Sequence, residues 1–276
     1  MHTYRPLLVL AAAGVVLAVS PAAGQMVEDF DRDEFTAIDE EAVEPEVRPD
    51  LPEVQQLIIR RTNEFRDEQG LDPLDENQQL AAAAQYFADF MATTGKYGHH
   101  ADDQRPSERA AEHDYEYCIV LENIGWIAST AGFESEEAAD RFMTGWQESE
   151  GHRRNLLDPD IHEIGVAVAE GEGGRYYAVQ KFGRPGDAEI EFTITNGTQA
   201  EVQYRIIGAE AENTFDLPPN ATATHSRCRP PELQLVPPEQ PEPEPVQVEA
   251  GDRFEIVGDP EDVELRRIDA NPSGAS

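Results

Sequence analysis

Cysteine is nearly absent. Cys118 and Cys228 are the two in 276 residues, too few to staple a domain, so the fold must rest on hydrophobic cores. Basic residues are scarce too: 21 Lys and Arg stand against 56 Asp and Glu, a net charge of −35. That balance excludes nucleic acid as a partner and disfavours an anionic membrane surface. It suits solubility, adaptation to a salty medium that screens self-repulsion, or loose collection of cations. Long apolar runs are limited to one, Leu7 to Val19, too short to cross a bilayer comfortably. Arg5 precedes it, and Ala22 and Gly24 follow at the small positions before a cleavage point. Residues 1–24 therefore read as a signal peptide, and the protein is expected to be secreted or periplasmic with no transmembrane segment.

What is present suggests two domains. Residues 25–50 are acidic with isolated hydrophobics, the composition of a disordered arm. From 51 the apolar spacing turns helical: Leu57, Ile58, Arg61 and Phe65 share a stripe, as do Leu80, Ala83, Ala84, Phe87, Phe90 and Met91, and then Ala138, Ala139, Phe142, Met143 and Trp146. Residues 96–132 lack regular period. "EIGVAVAEGEGGRYYAVQKFG" reads as two strands about a glycine-rich hairpin. Helices followed by strands predict an α+β layered domain over 51–186. From 187 the pattern alternates strictly, and Asn196-Gly197 predicts a hairpin turn. Residues 187–276 are thus expected to form a small all-β accessory domain, with a proline-rich insertion at 236–247 extended into solvent. The cysteines fall in different domains, where a bridge and two buried thiols are both open readings.

Reactive side chains gather in three places. "KYGHHADD" carries His99 and His100, "LENIGW" carries Glu122, and "WQESEGHRRNLL" carries Glu148, Ser149, Glu150 and His152. Each has a bland reading: solvated loop histidines, a turn-forming Glu-Asn pair, and a helix end whose dipole His152 complements. His225 and Cys228 lie near each other in the second half, but two such residues do not make a structural zinc site.

Together the segments "TNEFRDEQGLDPL", "LAAAAQYFADFM", "YGHHADD", "PSER", "LENIG", "WQESEGHRRNLL", "EIGVAVA" and "YYAVQKFG" resemble, in order, the motifs of the CAP superfamily. These are the cysteine-rich secretory, antigen 5 and pathogenesis-related 1 proteins, and the likeness is to their bacterial secreted branch over residues 52–185. The resemblance implies a three-layer α-β-α sandwich with an open cleft where histidines and glutamates converge. Carried over by position, His99, Glu122 and His152 form that cluster, with His100 a rival for the first place. The family's second glutamate position holds Ser149 here, so three groups are expected rather than four. Asn123 and Trp126 are expected to fix the loop presenting Glu122, and Arg109 and Asn63 to bond internally.

The resemblance further implies binding in preference to turnover. The cleft ligand would be a divalent cation, zinc among them, held by His99 and His152, or a lipid, small molecule or protein, with the β domain serving attachment. Histidine ligation would weaken below about pH 6.5. One alternative is an extracytoplasmic, protease-like hydrolase dependent on metal or on the His/Glu cluster. A further one is a serine hydrolase using Ser149, His152 and Glu122, against which stands the lack of a Gly-x-Ser-x-Gly elbow. The metalloprotease pattern of two histidines four apart around a glutamate is missing.

Overall fold

A computed structural model describes residues 47–209, 211–237, 241–259 and 262–268; the expected signal peptide and nearly all of the acidic arm lie outside these residues. The chain divides after Arg184 into two compact units.

In the first unit, α1 (Leu51–Glu68) starts on Asp50, whose carboxylate accepts the Glu53 amide at 3.0 Å, with a proline in the first turn. A short strand, β1 (Asp75–Glu76), precedes α2 (Gln78–Thr94), which starts on Asn77 and stops at Gly95 with φ 67°. Then come α3 (Pro106–Glu112), β2 (Tyr117–Ala128), α4 (Ser135–Glu148), α5 (Glu150–Leu156), β3 (Glu163–Gly171) and β4 (Arg175–Pro185). The sheet order is β1-β3-β4-β2, with β3 and β4 an antiparallel hairpin. Helices α1 and α4 pack together, and α2 lies along β3. Ala84, Phe87, Ala88 and Met91 of α2 share a core with Ala167, Ala169, Tyr177 and Val179. The approach is close: a methyl group on Gly165 would overlap the backbone of Leu80 and Ala81. β4 is buried without interruption from Tyr176 to Arg184, as a strand covered on both faces must be.

Two local readings change here. The stretch 96–132 holds a helix and a twelve-residue strand; Glu122 and Asn123 interrupt the hydrophobic alternation of β2, which hid it. Ser149 is the single residue between α4 and α5, so His152 sits inside a new helix rather than at the end of the preceding one.

The second unit contains β5 (Ile190–Asn196), β6 (Val202–Ile207), β7 (Glu212–Leu217), β8 (Thr222–Arg227), β9 (Glu232–Leu235), β10 (Val246–Gln247), β11 (Arg253–Asp259) and β12 (Asp262–Ile268). They form two four-stranded sheets, β10-β9-β6-β7 and β12-β11-β5-β8, around one core that includes Phe192, Ile194, Tyr204, Ile206, Leu233, Phe254 and Ile256. The hairpin expected at Asn196-Gly197 does not form, because β5 pairs with β8 and β11 while β6 pairs with β7 and β9. The chain changes sheet there. The buried Asn196 amide pins the crossing by donating to Ala200 O at 2.8 Å and Leu217 O at 2.9 Å, while its oxygen accepts the Thr198 amide at 2.9 Å. In the described part of the proline-rich insertion, residues 241–244 are exposed, and two side chains hold them: Arg205 grips both oxygens of Glu242 at 3.0 and 3.1 Å, and Gln234 donates to Pro243 O at 2.9 Å. Neither Cys118 nor Cys228 is a free thiol; each is disulfide-bonded.

Candidate functional site

Glu122 organises the site. Its side chain is 1% exposed and accepts four hydrogen bonds. His99 Nδ1 and an Arg109 terminal nitrogen reach Oε1, both at 2.9 Å. The same Arg109 nitrogen at 3.0 Å and Lys181 Nζ at 2.6 Å reach Oε2. Burial alone would raise this carboxyl's pKa; Lys181, the His99 hydrogen bond and Arg109 override it and hold the value at about 2. An ionised carboxylate only accepts, so the proton of the shared bond sits on His99 Nδ1. In a neutral His99, whose side chain is 34% exposed, Nε2 then carries the lone pair.

The surrounding elements fix this arrangement. Arg109 of α3 also donates to Asp102 Oδ1 at 2.6 Å and to the His99 carbonyl at 2.9 Å, and its guanidinium lies 3.6 Å from the Phe87 ring centre. Lys181 of β4 donates to Pro106 O at 3.2 Å as well. Helix α5 is stitched to β2 by two amides. Asn155 donates to Glu122 O at 3.1 Å and to Asn123 Oδ1 at 2.9 Å, and Asn123 donates to His152 O at 3.2 Å.

His152 is 4% exposed, and its buried Nδ1 has no hydrogen-bond partner among the described residues. Burial, then the neighbouring His99, lowers its pKa to about 4. The imidazole is therefore neutral far below pH 6.5, and the acid sensitivity expected of a histidine ligand shifts downward for this one.

Of the residues singled out in the sequence, His99 and Glu122 meet directly. His152 joins them through α5. His100 turns away, its Nδ1 3.0 Å from Gln104 O. Ser149 Oγ makes no hydrogen bond to either histidine among the described residues. Asn123 does hold the site together, from a strand rather than a loop, and Trp126 stacks under Arg175 at 4.7 Å. Asn63 exchanges two bonds with Leu74, at 3.0 and 2.9 Å. Lys181 and Asp102 escaped the sequence reading. The signal was the pair Gln180-Lys181 inside the apolar run "YYAVQKFG": neighbours on a strand point to opposite faces, so in a strand covered on both sides each needs a polar partner.

The donor set can be tested against a divalent ion. Two imidazole nitrogens without hydrogen-bond partners among the described residues suit two ligand positions. Glu122 does not suit a third, because Lys181 and Arg109 occupy its oxygens. No trio containing both histidines brings ligand atoms of His, Cys, Asp or Glu within 4.8 Å of one another among the described residues.

Residues 59–182 match the sequence profile of the cysteine-rich secretory protein family, CAP. This stretch is a CAP domain. The YkwD protein of Bacillus subtilis (strain 168) is 26% identical over 117 residues, 42% of either chain. An extracellular protein containing a SCP domain from Bacillus anthracis is 27% identical, with 49% of this chain and 41% of that one covered and a TM-score of 0.41. A cysteine-rich secretory protein from Staphylococcus aureus is 24% identical over 48% of this chain and 39% of its own, with a TM-score of 0.37. The chain thus spans about two fifths of the length of these relatives, and the β unit lies outside the CAP match.

Proposed function

We propose that the CAP domain is an extracytoplasmic binding domain in which His99 and His152 hold a divalent cation, zinc foremost, with water completing the coordination. The observation that carries this reading is the buried, unpartnered Nδ1 of His152 beside a His99 whose other nitrogen is fixed by Glu122, the carboxylate–histidine arrangement that orients metal ligands. Export rests on the leader pattern of residues 1–24; among the described residues no helix is long and apolar enough to cross a membrane. When bound, the ion would supply Lewis acidity to an incoming ligand, while the chain's own part is to orient two imidazoles and hold one proton on His99 Nδ1.

Calorimetric titration of zinc into the full chain tests this, beside the His99→Ala/His152→Ala double variant. Loose collection by acidic surface groups survives the double change, whereas one additional site in the wild type should vanish. Coinciding isotherms would refute metal binding and turn the search to apolar and protein ligands.

The His99–Glu122 dyad also favours a second reading, a hydrolase with His99 as general base. Glu122 is too acidic to be that base. Ester or peptide turnover that persists after chelation and disappears in His99→Ala would favour this reading.

A further inference from the structure

Lys181 stands out as an ammonium buried in the middle of a sheet. Its side chain is 0% exposed, and Nζ reaches Glu122 Oε2 at 2.6 Å and Pro106 O at 3.2 Å. With Arg109 and Asp102, whose side chains are 0% and 2% exposed, it completes a buried unit of two cations and two carboxylates that sums to no charge. The metal reading by itself does not require such a unit. A glutamate touching a histidine in a cleft would ordinarily be free to ligate, and a hard carboxylate oxygen draws magnesium, calcium or manganese as readily as zinc. Here both oxygens are engaged twice, the one nearest Lys181 by Lys181 and Arg109, the one beside His99 by His99 and Arg109.

We infer that Lys181 is a specificity-determining residue of this cleft: by neutralising Glu122 it removes the carboxylate from the donor set and leaves an all-imidazole site. Such a site takes nitrogen-seeking divalent ions and passes over oxygen-seeking ones. This matters on a chain of net charge −35, whose surface gathers hard cations without selection. Lys181 touches no ligand; it acts through Glu122, whose remaining task is to keep the His99 proton on Nδ1 and offer Nε2 outward.

The inference rests on the His99–His152 metal reading, so its test separates the two. Zinc and manganese are titrated separately into the full-length wild type, Lys181→Met and Lys181→Arg, with the His99→Ala/His152→Ala isotherm subtracted as surface background. The wild type should show a histidine-dependent zinc site and no manganese binding above background. Lys181→Met, which leaves Oε2 held by Arg109 alone and one negative charge uncompensated, should gain manganese affinity at least tenfold; Lys181→Arg should keep wild-type selectivity. Zinc binding without any manganese gain in a folded Lys181→Met overturns the role of Lys181 alone. No histidine-dependent zinc site in the wild type overturns the metal reading and the selectivity with it. Nitrogen-15 shifts of the His99 ring in metal-free wild type need neither variant nor metal and stand if Lys181→Met fails to fold. They should show Nδ1 protonated and Nε2 bare; a proton on Nε2 overturns the locked carboxylate.

Discussion

His152 and Glu122 both resist protonation, for opposite reasons. The imidazole is held neutral because burial penalises its charge, the carboxylate is held charged because cations surround it. An unfolded chain binds those protons at the ordinary values of 6.5 and 4.5, so in each window acid draws the equilibrium toward the unfolded state. His152 contributes stability in full above pH 6.5 that is lost down to about 4, and Glu122 contributes stability above 4.5 that is lost down to about 2. Urea midpoints should therefore fall steadily from pH 7 through 5 to 3, and His152→Gln should flatten the upper part alone. An unchanged slope between pH 7 and 5 in that variant would contradict a buried neutral imidazole. The sequence marked His99, Glu122 and His152 because their motifs are local strings. Their partners were harder to see. Lys181 lies 59 positions from Glu122, and nothing near either residue announces the other until the sheet brings β4 and β2 together.

At the scale of elements, legibility followed period. The helices α1, α2 and α4 have continuous apolar stripes, and all three were evident. β2 was not, because Glu122, Asn123, Ile124 and Gly125 are buried in succession and break the two-residue rhythm that betrays a half-exposed strand. Asn196-Gly197 misled for a related reason. The dipeptide favours a tight turn, but a buried asparagine with four backbone partners serves equally as the pin of a crossing, and pattern cannot tell these apart. The contact of α2 with β3 depends on a residue that has no side chain. Gly165→Ala should cost about 3 kcal/mol or more, since the overlap is with helix backbone that cannot rotate aside. Urea denaturation of the full chain would show it, and a loss below about 1 kcal/mol would mean that the helix can lift from the sheet at little cost.

For the whole molecule, charge is the dominant fact. At −35, self-repulsion opposes compaction wherever solvent ions do not screen it, and the screening length falls from about 30 Å at 0.01 M salt to about 3 Å at 1 M. The melting temperature should rise by roughly 5 °C or more over that range; a flat profile would show that the acidic groups are compensated locally. Repulsion of this size also keeps molecules apart, and the CAP sheet adds a contribution of its own. β2 is one of the two edge strands of that sheet, and the carbonyls of Glu122 and Ile124, on alternate residues, face one way. Asn155 takes the first, Trp146 and Tyr97 the second, at 3.1, 3.1 and 3.3 Å. An open strand edge is a template for pairing with another chain. Asn155, Trp146 and Tyr97 already occupy these two carbonyls, so a neighbouring strand could not pair with β2 at Glu122 and Ile124 even where salt has silenced the charge.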